Sequence, residues 1–137
     1  MPNTNQITYR KIAACAAATT ACALAGAGGS FTDVRAYPAG GFPFGFVATD
    51  LNGDGLADLA VSNYGGGDVS VLINTGTGFA DQARYPAGAE ARAVVSADFD
   101  GDGLPDLAAT DATNDQVLLL PGLGGGAFGP ATPTMVG

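Results

Sequence analysis

The feature that most restricts the fold is an internal repeat of 48 residues. Residues 31–78 align without a gap on residues 79–126, and 19 of the 48 positions are identical. Both copies contain Tyr-Pro-Ala-Gly, at 37–40 and 85–88, and a third copy begins at Phe128, one residue late. A repeat of fixed length indicates an array of equivalent supersecondary units.

Each unit contains four short runs rich in apolar residues, separated by clusters of Asp, Asn and Gly. The runs are 46–49, 59–62, 69–73 and 79–85 in the first unit, and 94–97, 107–110, 117–120 and 128 to about 134 in the second. This period-two pattern predicts an all-β fold with one four-stranded antiparallel meander per unit. Pro130 and Pro133 cannot donate hydrogen bonds to a strand partner, so the last run is predicted to be an outer edge strand.

A unit of this size is typical of one blade of a β-propeller, and it could also be half of a β-sandwich. The blade is favoured because a sandwich does not require the same acidic loop to recur every 48 residues. The chain is then predicted to form two four-stranded antiparallel blades of an incomplete β-propeller. The units lie at about 31–78 and 79–126, with the start of a third at 127–137.

Two blades leave apolar faces open, because propellers close with about 4 to 8 blades. A strand predicted at 31–37 precedes the first blade and has no blade of its own. Such an edge favours pairing with another strand. We therefore expect either a homo-oligomer in which several copies complete a ring, or missing blades supplied by a longer chain.

An acidic loop recurs in both units, with oxygen side chains at positions 1, 3, 5 and 9 and Gly at position 6. Alternate residues of a tightly turning segment converge on one centre, and position 7 can offer its main-chain carbonyl. Hard oxygen ligands in a flexible loop favour Ca²⁺ over zinc, copper and Mg²⁺. The predicted ligands are Asp50, Asn52, Asp54, Leu56 and Asp58 in the first loop, and Asp98, Asp100, Asp102, Leu104 and Asp106 in the second.

An EF-hand would require Glu at position 12 and a helix on each side. Position 12 is Val61 or Ala109, and both lie in predicted strands. Asp58 and Asp106 are therefore expected to replace that Glu with both carboxylate oxygens. The alternative for a single loop is a solvated turn. Because Asn52 replaces one carboxylate, we expect the second site to bind more tightly than the first.

Residues 1–27 have the layout of a secretory signal peptide. A polar start ends in Arg10-Lys11, and an uncharged Ala-rich run follows, with small side chains at Ala23 and Ala25. The run is too short for a membrane span. The mature domain, 28–137, is then predicted to be secreted or on the cell surface, in the periplasm or outside the cell. The alternative is an Ala-rich tail on a cytosolic protein.

The composition excludes several functions. The chain has 13 acidic and 5 basic residues, a net charge of −8 and no His. The absence of His excludes Ser-His, Cys-His and His-metal sites, and no basic stripe is available for nucleic acid. Asp68 and Asp115 lie in predicted turns, where exposure to solvent is expected. We expect no enzyme, and a hydrolase that uses Asp68, Asp111 or Glu90 is the alternative.

Aromatic residues lie near several of the predicted turns. They could form a platform for a sugar or a peptide, although packing between blades is the more usual role of aromatic residues beside Pro. These residues are Tyr37, Tyr64, Tyr85 and the segment Phe42-Pro43-Phe44.

The residues around the loops also resemble a known family. Asp-Leu-Asn-Gly-Asp-Gly-Leu-Ala-Asp-Leu-Ala-Val at 50–61, the strand at 69–73 and the Gly-rich turn before Phe79 resemble the FG-GAP/VCBS-type repeat, the blade of integrin-α-like β-propellers. The resemblance covers about 31–137, although family propellers have more than two blades. It implies structural Ca²⁺ between the first two strands of each blade, in secreted or surface proteins that bind an extracellular protein or glycan. A non-catalytic or accessory part of a larger exported enzyme or lectin is the alternative.

Overall fold

The computed structural model describes residues 12–13, 21–25 and 34–135, and every regular element in these ranges is a β-strand. No helix long and apolar enough to cross a membrane occurs in the described part of the chain. In chain order the strands are β1 (Ile12–Ala13), β2 (Ala21–Ala25), β3 (Val34–Pro38), β4 (Pro43–Thr49), β5 (Asp58–Asn63), β6 (Asp68–Leu72), β7 (Ala83–Pro86), β8 (Ala91–Ala97), β9 (Asp106–Asp111), β10 (Gln116–Leu120), β11 (Gly122–Gly124), β12 (Ala127–Phe128) and β13 (Thr132–Met135).

Each sequence repeat folds into a four-stranded antiparallel sheet, as predicted. Blade 1 has the strand order β4-β5-β6-β7, and blade 2 has the order β8-β9-β10-β13. Both blades are simple meanders, because every strand pairs with the next long strand along the chain. The all-β prediction with two four-stranded sheets is therefore confirmed.

The fourth strand of each blade begins later than predicted. In blade 1 the turn after β6 first forms an isolated bridge between Asn74 and Phe79. In blade 2 the same turn is one residue longer and forms the β11–β12 hairpin. The strand that follows, β13, pairs only with β10, where Pro133 lies opposite Leu118. This position agrees with the predicted edge strand.

The predicted strand at 31–37 is found at 34–38 as β3, and residues 31–33 lie outside the described ranges. Instead of lacking a partner, β3 pairs with β2 in a small sheet of order β1-β2-β3. The unpaired N–H and C=O groups of an edge strand can pair with any nearby extended backbone, and the uncharged run at 21–25 supplies one. Most of the predicted signal peptide lies outside the described ranges, so the signal remains a prediction.

The main core lies between the two blades. Ala60 and Val71, which face each other across β5 and β6, pack with Leu107, Ala109 and Leu120 of blade 2 in one buried cluster. A second cluster, containing Leu59, Val61 and Leu72, covers the opposite face of blade 1. The alternation of strand side chains thus gives blade 1 two apolar faces.

An aromatic contact recurs between consecutive units. Tyr85 on β7 packs edge-to-face on Phe128 of blade 2, with ring centroids 5.5 Å apart. Tyr37 on β3 makes the same contact with Phe79 of blade 1 at 5.2 Å. These two tyrosines therefore pack between units, in agreement with the packing role expected for aromatic residues beside Pro.

Replacing Leu107 by Ala should lower the free energy of unfolding by about 2–5 kcal/mol, because its fully buried side chain lies between the blades. Urea denaturation measures this change. The matched control is Leu123→Ala, since Leu123 is exposed on the β11–β12 hairpin and its loss should change stability by less than about 0.5 kcal/mol. Equal losses in the two variants would contradict a core between the blades.

Candidate metal sites

Each acidic loop joins the first two strands of its blade and folds around the aspartate at position 1. Asp50 accepts backbone N–H bonds from Gly53 and Gly55, both at 2.7 Å. Gly55 has a φ of 82°, in the left-handed region that favours Gly. The second loop repeats both bonds, from Gly101 and Gly103 to Asp98, at 2.7 and 3.0 Å. The two loops therefore share one backbone geometry.

The side chains at positions 3 and 5 also bond to the loop backbone. Asn52 Oδ1 accepts the N–H of Asp54 at 2.9 Å, and Asp54 Oδ1 accepts that of Leu56 at 2.8 Å. The equivalent bonds in the second loop involve Asp100, Asp102 and Leu104, at 3.1 and 2.8 Å. These local bonds keep the alternate oxygen side chains close to the loop backbone. The carbonyl role predicted for Leu56 and Leu104 stays a prediction.

The ninth-position aspartates, Asp58 and Asp106, are buried at the start of the second strand of each blade. Asp58 accepts N–H bonds from Leu51 in the loop, at 2.8 Å, and from Asn74 after the third strand, at 2.7 Å. Asp106 accepts equivalent bonds from Phe99 and Gly122, at 2.8 and 2.7 Å. Each carboxylate therefore connects its loop to the turn after the third strand.

The sequence pattern identifies these two aspartates as site residues, but it does not identify the groups that donate hydrogen bonds to them. The donors are backbone N–H groups, which leave no side-chain signature, and only the 48-residue spacing of Asn74 and Gly122 marks them as equivalent. Each carboxylate oxygen accepts one of these bonds and has a second lone pair. The predicted role of both oxygens as metal ligands stays a prediction.

Three of the four carboxylates in the second loop come together. Asp98, Asp100 and Asp106 each offer one oxygen, and these oxygens lie within 4.8 Å of one another. Ligands on opposite sides of one Ca²⁺ are about 5 Å apart, since each Ca–O distance is about 2.3–2.6 Å. The three oxygens therefore fit a single Ca²⁺, and Asp102 is not part of this group. Over residues 34–135 no other trio of Asp, Glu, His or Cys has this spacing.

The first loop has a different donor set. Asn52 stands where the second loop has Asp100, and its Nδ2 donates to Asp54 Oδ2 at 3.0 Å. One amide oxygen and three carboxylates are then available, which is one charge fewer than in the second loop. All the donors remain hard oxygen atoms, which suit Ca²⁺.

The two ninth-position aspartates differ in their pKa. Burial, with repulsion from Asp54 and Asp50, raises the pKa of Asp58 despite its two N–H bonds. The N–H of Gly122 is the main cause that lowers the pKa of Asp106. The position-9 carboxylates of the two loops therefore differ in their electrostatic surroundings.

Asp68 contradicts the expectation of a solvated turn residue. It begins β6, is buried and forms an ion pair with Arg84 on the neighbouring strand β7. Asn63 also donates to Asp68 Oδ1, at 2.6 Å, within a buried polar network that includes Ser70. The expectation failed because the pairing of β6 with β7 places Arg84 beside the carboxylate. Asp115 is exposed in its turn, as expected.

Asp111 and Asn63 are equivalent residues that hold the segments entering each blade, and sequence reasoning missed this role. Asn63 Oδ1 accepts the N–H of Gly40 at 3.0 Å. Asp111, also buried, accepts the N–H of Ala89 at 3.2 Å and the side-chain amide of Asn114 at 2.7 Å. Burial opposes ionisation of Asp111, but these bonds outweigh it and lower its pKa. A signal was present, because both polar residues end an apolar run at the same repeat position.

Of the other aromatic residues, Phe42 and Phe44 differ from the expectation of interblade packing, whereas Tyr64 agrees with it. Phe42 and Phe44 are 65% and 69% exposed. Tyr64 does lie at the contact between blades: its hydroxyl donates to Glu90 Oε1 at 2.8 Å, and the Arg92 guanidinium lies 5.2 Å from its ring centroid. The Phe44 ring lies 6.3 Å from the Tyr64 ring, and the Phe42 ring lies against Gly65, so both phenylalanines contact the turn after β5 although most of their surface is exposed.

The model of the FG-GAP-like repeat family matches residues 50–109, a segment that contains both acidic loops. The resemblance seen in the sequence is thereby confirmed, and residues 50–109 are similar to an FG-GAP-like repeat. No curated protein and no solved structure matches the chain significantly.

Replacing Asp111 by Asn tests the connection between blades, and Asn63 shows that an amide fits the equivalent position. The pKa of Asp111 is lower in the folded chain than in the unfolded chain, where it is about 3.9, so ionised Asp111 stabilises the fold at pH values above about 3.9. This contribution is lost as the pH falls through the pKa of the folded chain. Wild type should be more stable at pH 7 by about 1–3 kcal/mol, and the difference should shrink below about pH 4.

Urea denaturation at a series of pH values measures the effect of Asp111→Asn. Asp115→Asn removes the same charge from an exposed turn, so it should show little difference from wild type at any of these pH values. If the difference in free energy of unfolding between wild type and Asp111→Asn stayed constant down to pH 2, the lowered pKa of Asp111 would be contradicted.

Proposed function

We propose that the chain is a secreted, Ca²⁺-binding module of β-propeller repeats whose role is recognition. The observation that carries this proposal is the grouping of Asp98, Asp100 and Asp106 oxygens within 4.8 Å in a loop that the FG-GAP-like family model covers. In the proposed sites the ions are structural. The first loop, with Asn52 in place of one carboxylate, is proposed as the weaker of the two sites.

A structural role for Ca²⁺ follows from charge and connectivity. Two like charges about 4 Å apart repel by about 4 kcal/mol at an effective dielectric constant near 20. A divalent cation between them makes the net electrostatic interaction attractive. Asp106 already connects its loop to the turn after β10. An ion held by Asp98, Asp100 and Asp106 would therefore hold three strands of blade 2 in place.

A recognition role without catalysis is supported by the state of the remaining acids. Asp68 is paired with Arg84, Asp111 accepts hydrogen bonds from several donors, and Glu90 accepts the hydroxyl of Tyr64. Carboxylates engaged in this way are poor candidates for proton transfer to a substrate. The repeat family implies adhesion or ligand binding at the cell surface, so the proposed partner is an extracellular protein or glycan. An accessory part of a larger exported enzyme or lectin is the second candidate.

Calcium titration tests the metal sites. Isothermal titration calorimetry should resolve two sites, with dissociation constants of about 10⁻⁴ to 10⁻³ M as in other extracellular modules, and the melting temperature should rise with Ca²⁺. Asp100→Asn should weaken the second site about tenfold, and Asn52→Asp should strengthen the first by a similar factor, because each changes one ligand charge.

The matched control for the calcium titration is Asp81→Asn, which removes one charge from an exposed residue outside both loops and should leave both affinities unchanged. The proposal fails if wild type shows no Ca²⁺-dependent shift of melting temperature. If the first site were the tighter one, the ranking of the two loops would be wrong although the metal proposal would stand.

Export can be tested separately. In a bacterial host with a secretion system, intact-mass analysis should show a periplasmic or extracellular product that has lost about 25 to 27 N-terminal residues, because the small side chains of Ala23 and Ala25 suit signal peptidase. Replacing Ala23 and Ala25 by the bulky residue Phe should block this cleavage. Full-length chain retained in the cytoplasm would contradict export without affecting the metal sites.

A further inference from the structure

The first acidic loop contains the dipeptide that is most suited to deamidation. Asn52 is followed by Gly53, and no other Asn in the sequence precedes Gly. The main-chain nitrogen of the next residue can attack the side-chain amide of an asparagine, and glycine hinders that approach least because it has no side chain. The other asparagines precede Thr, Gln, Tyr or Asp, whose side chains hinder the attack.

The reaction at this dipeptide requires only water. The nitrogen of Gly53 loses its proton and bonds to Cγ of Asn52, while the bond from Cγ to Nδ2 breaks, so ammonia leaves and a succinimide ring forms. Water then opens the ring, and no atom is oxidised or reduced. Opening at Cγ restores the main-chain amide and leaves the carboxylate of aspartate. Opening at the main-chain carbonyl gives isoaspartate, which lengthens the main chain by one carbon.

The second loop shows that the aspartate product fits the loop backbone. Asp100-Gly101 lies 48 residues after Asn52-Gly53. Gly53 and Gly101 both have a φ of 83°, and each donates its N–H to the aspartate at position 1 at 2.7 Å. Aspartate at position 52 therefore requires no change of the loop backbone, and both loops would then have the same four carboxylates.

Three hydrogen bonds oppose deamidation while the first loop is closed. The N–H of Gly53, which supplies the attacking nitrogen, donates to Asp50 Oδ1 at 2.7 Å. The side chain of Asn52 is held at both ends by Asp54, because its Oδ1 accepts the N–H of Asp54 at 2.9 Å and its Nδ2 donates to Oδ2 at 3.0 Å. The attacking nitrogen and the amide are therefore both restrained in the closed loop.

The same three bonds lie at the surface, so the loop can open locally. Gly53 is exposed, and a side chain added there would meet no heavy atom within 4 Å. Water can therefore reach the reacting atoms and replace the exposed hydrogen bonds. Asp58, which connects the loop to the turn after β6, is buried. Residues 52–54 can thus open while the rest of blade 1 stays folded.

We propose that Asn52 is a site of spontaneous deamidation, that opening of the first loop controls its rate, and that the aspartate product gives the first loop the carboxylate set of the second. The charge of the first loop then changes slowly and in one direction, whereas the second loop already has aspartate at this position. The inference goes beyond the proposed function, because the reaction requires neither Ca²⁺ nor a partner.

Peptide mapping by mass spectrometry tests the proposal on the full chain. Wild type is incubated in a mildly alkaline buffer that contains a chelator, and fragmentation assigns each replacement of NH₂ by OH to one residue. Asn52 should be converted before Asn74 and Asn114, which precede Thr and Asp. Chromatography should show aspartate among the products, and Asn52→Asp is the standard that identifies it.

Matched variants test the control by loop opening. Asp50→Ala removes the acceptor of the Gly53 N–H, so Asn52 should be converted about tenfold faster than in wild type. Asp98→Ala removes the equivalent acceptor from the second loop and should leave the conversion rate of Asn52 unchanged. Asp54→Ala changes an exposed residue that holds Asn52 Nδ2, and it should also increase the rate.

Urea midpoints show whether these variants fold, and Asp54→Ala replaces Asp50→Ala in the comparison if only the latter is unfolded. Four outcomes would each overturn the proposal: earlier conversion of Asn74 or Asn114, equal rates in wild type and the first-loop variants, a faster rate in Asp98→Ala, or isoaspartate without aspartate. Because the mass change is measured without Ca²⁺, failure of the metal sites would not alter this result.

Discussion

The structure of each blade depends on one buried carboxylate that accepts two backbone N–H groups. Asp58 and Asp106 sit at the start of the second strand, where burial of a charged group is costly unless hydrogen bonds replace its lost hydration. Two N–H donors from separate segments supply that replacement. The acidic loop is thereby fixed to the end of the third strand, and in the second loop the oxygens of Asp98 and Asp100 lie near that of Asp106 before any ion is considered.

A second set of contacts joins one unit to the next. Asn63 and Asp111 hold the chain as it enters a blade, and the Tyr–Phe pairs pack consecutive units together. Each of these contacts occurs twice, about 48 residues apart. The repeat is thus preserved in the interactions as well as in the strands.

The sequence alone predicts most of the sheets because the information is local. Alternation of apolar residues and Asx-Gly turns place β4 to β6 and β8 to β10 within a few residues, and the two acidic loops are found by their spacing. The features that the sequence does not predict depend on contacts between residues that are far apart in the chain. The burial of Asp68 requires Arg84 on the next strand, and the exposure of Phe42 and Phe44 has no local pattern that marks it. The backbone donors to Asp58 and Asp106 have no side-chain signal at all.

The additional residue in the β11–β12 hairpin leaves the sheet unchanged. Gln116 pairs with Met135 in blade 2 just as Asp68 pairs with Pro86 in blade 1, although the intervening segment is longer. Length variation at this turn is therefore uncoupled from strand register. A turn with that freedom can diverge between homologous proteins without cost to the scaffold, and it is a natural place to graft an epitope or a fluorescent label.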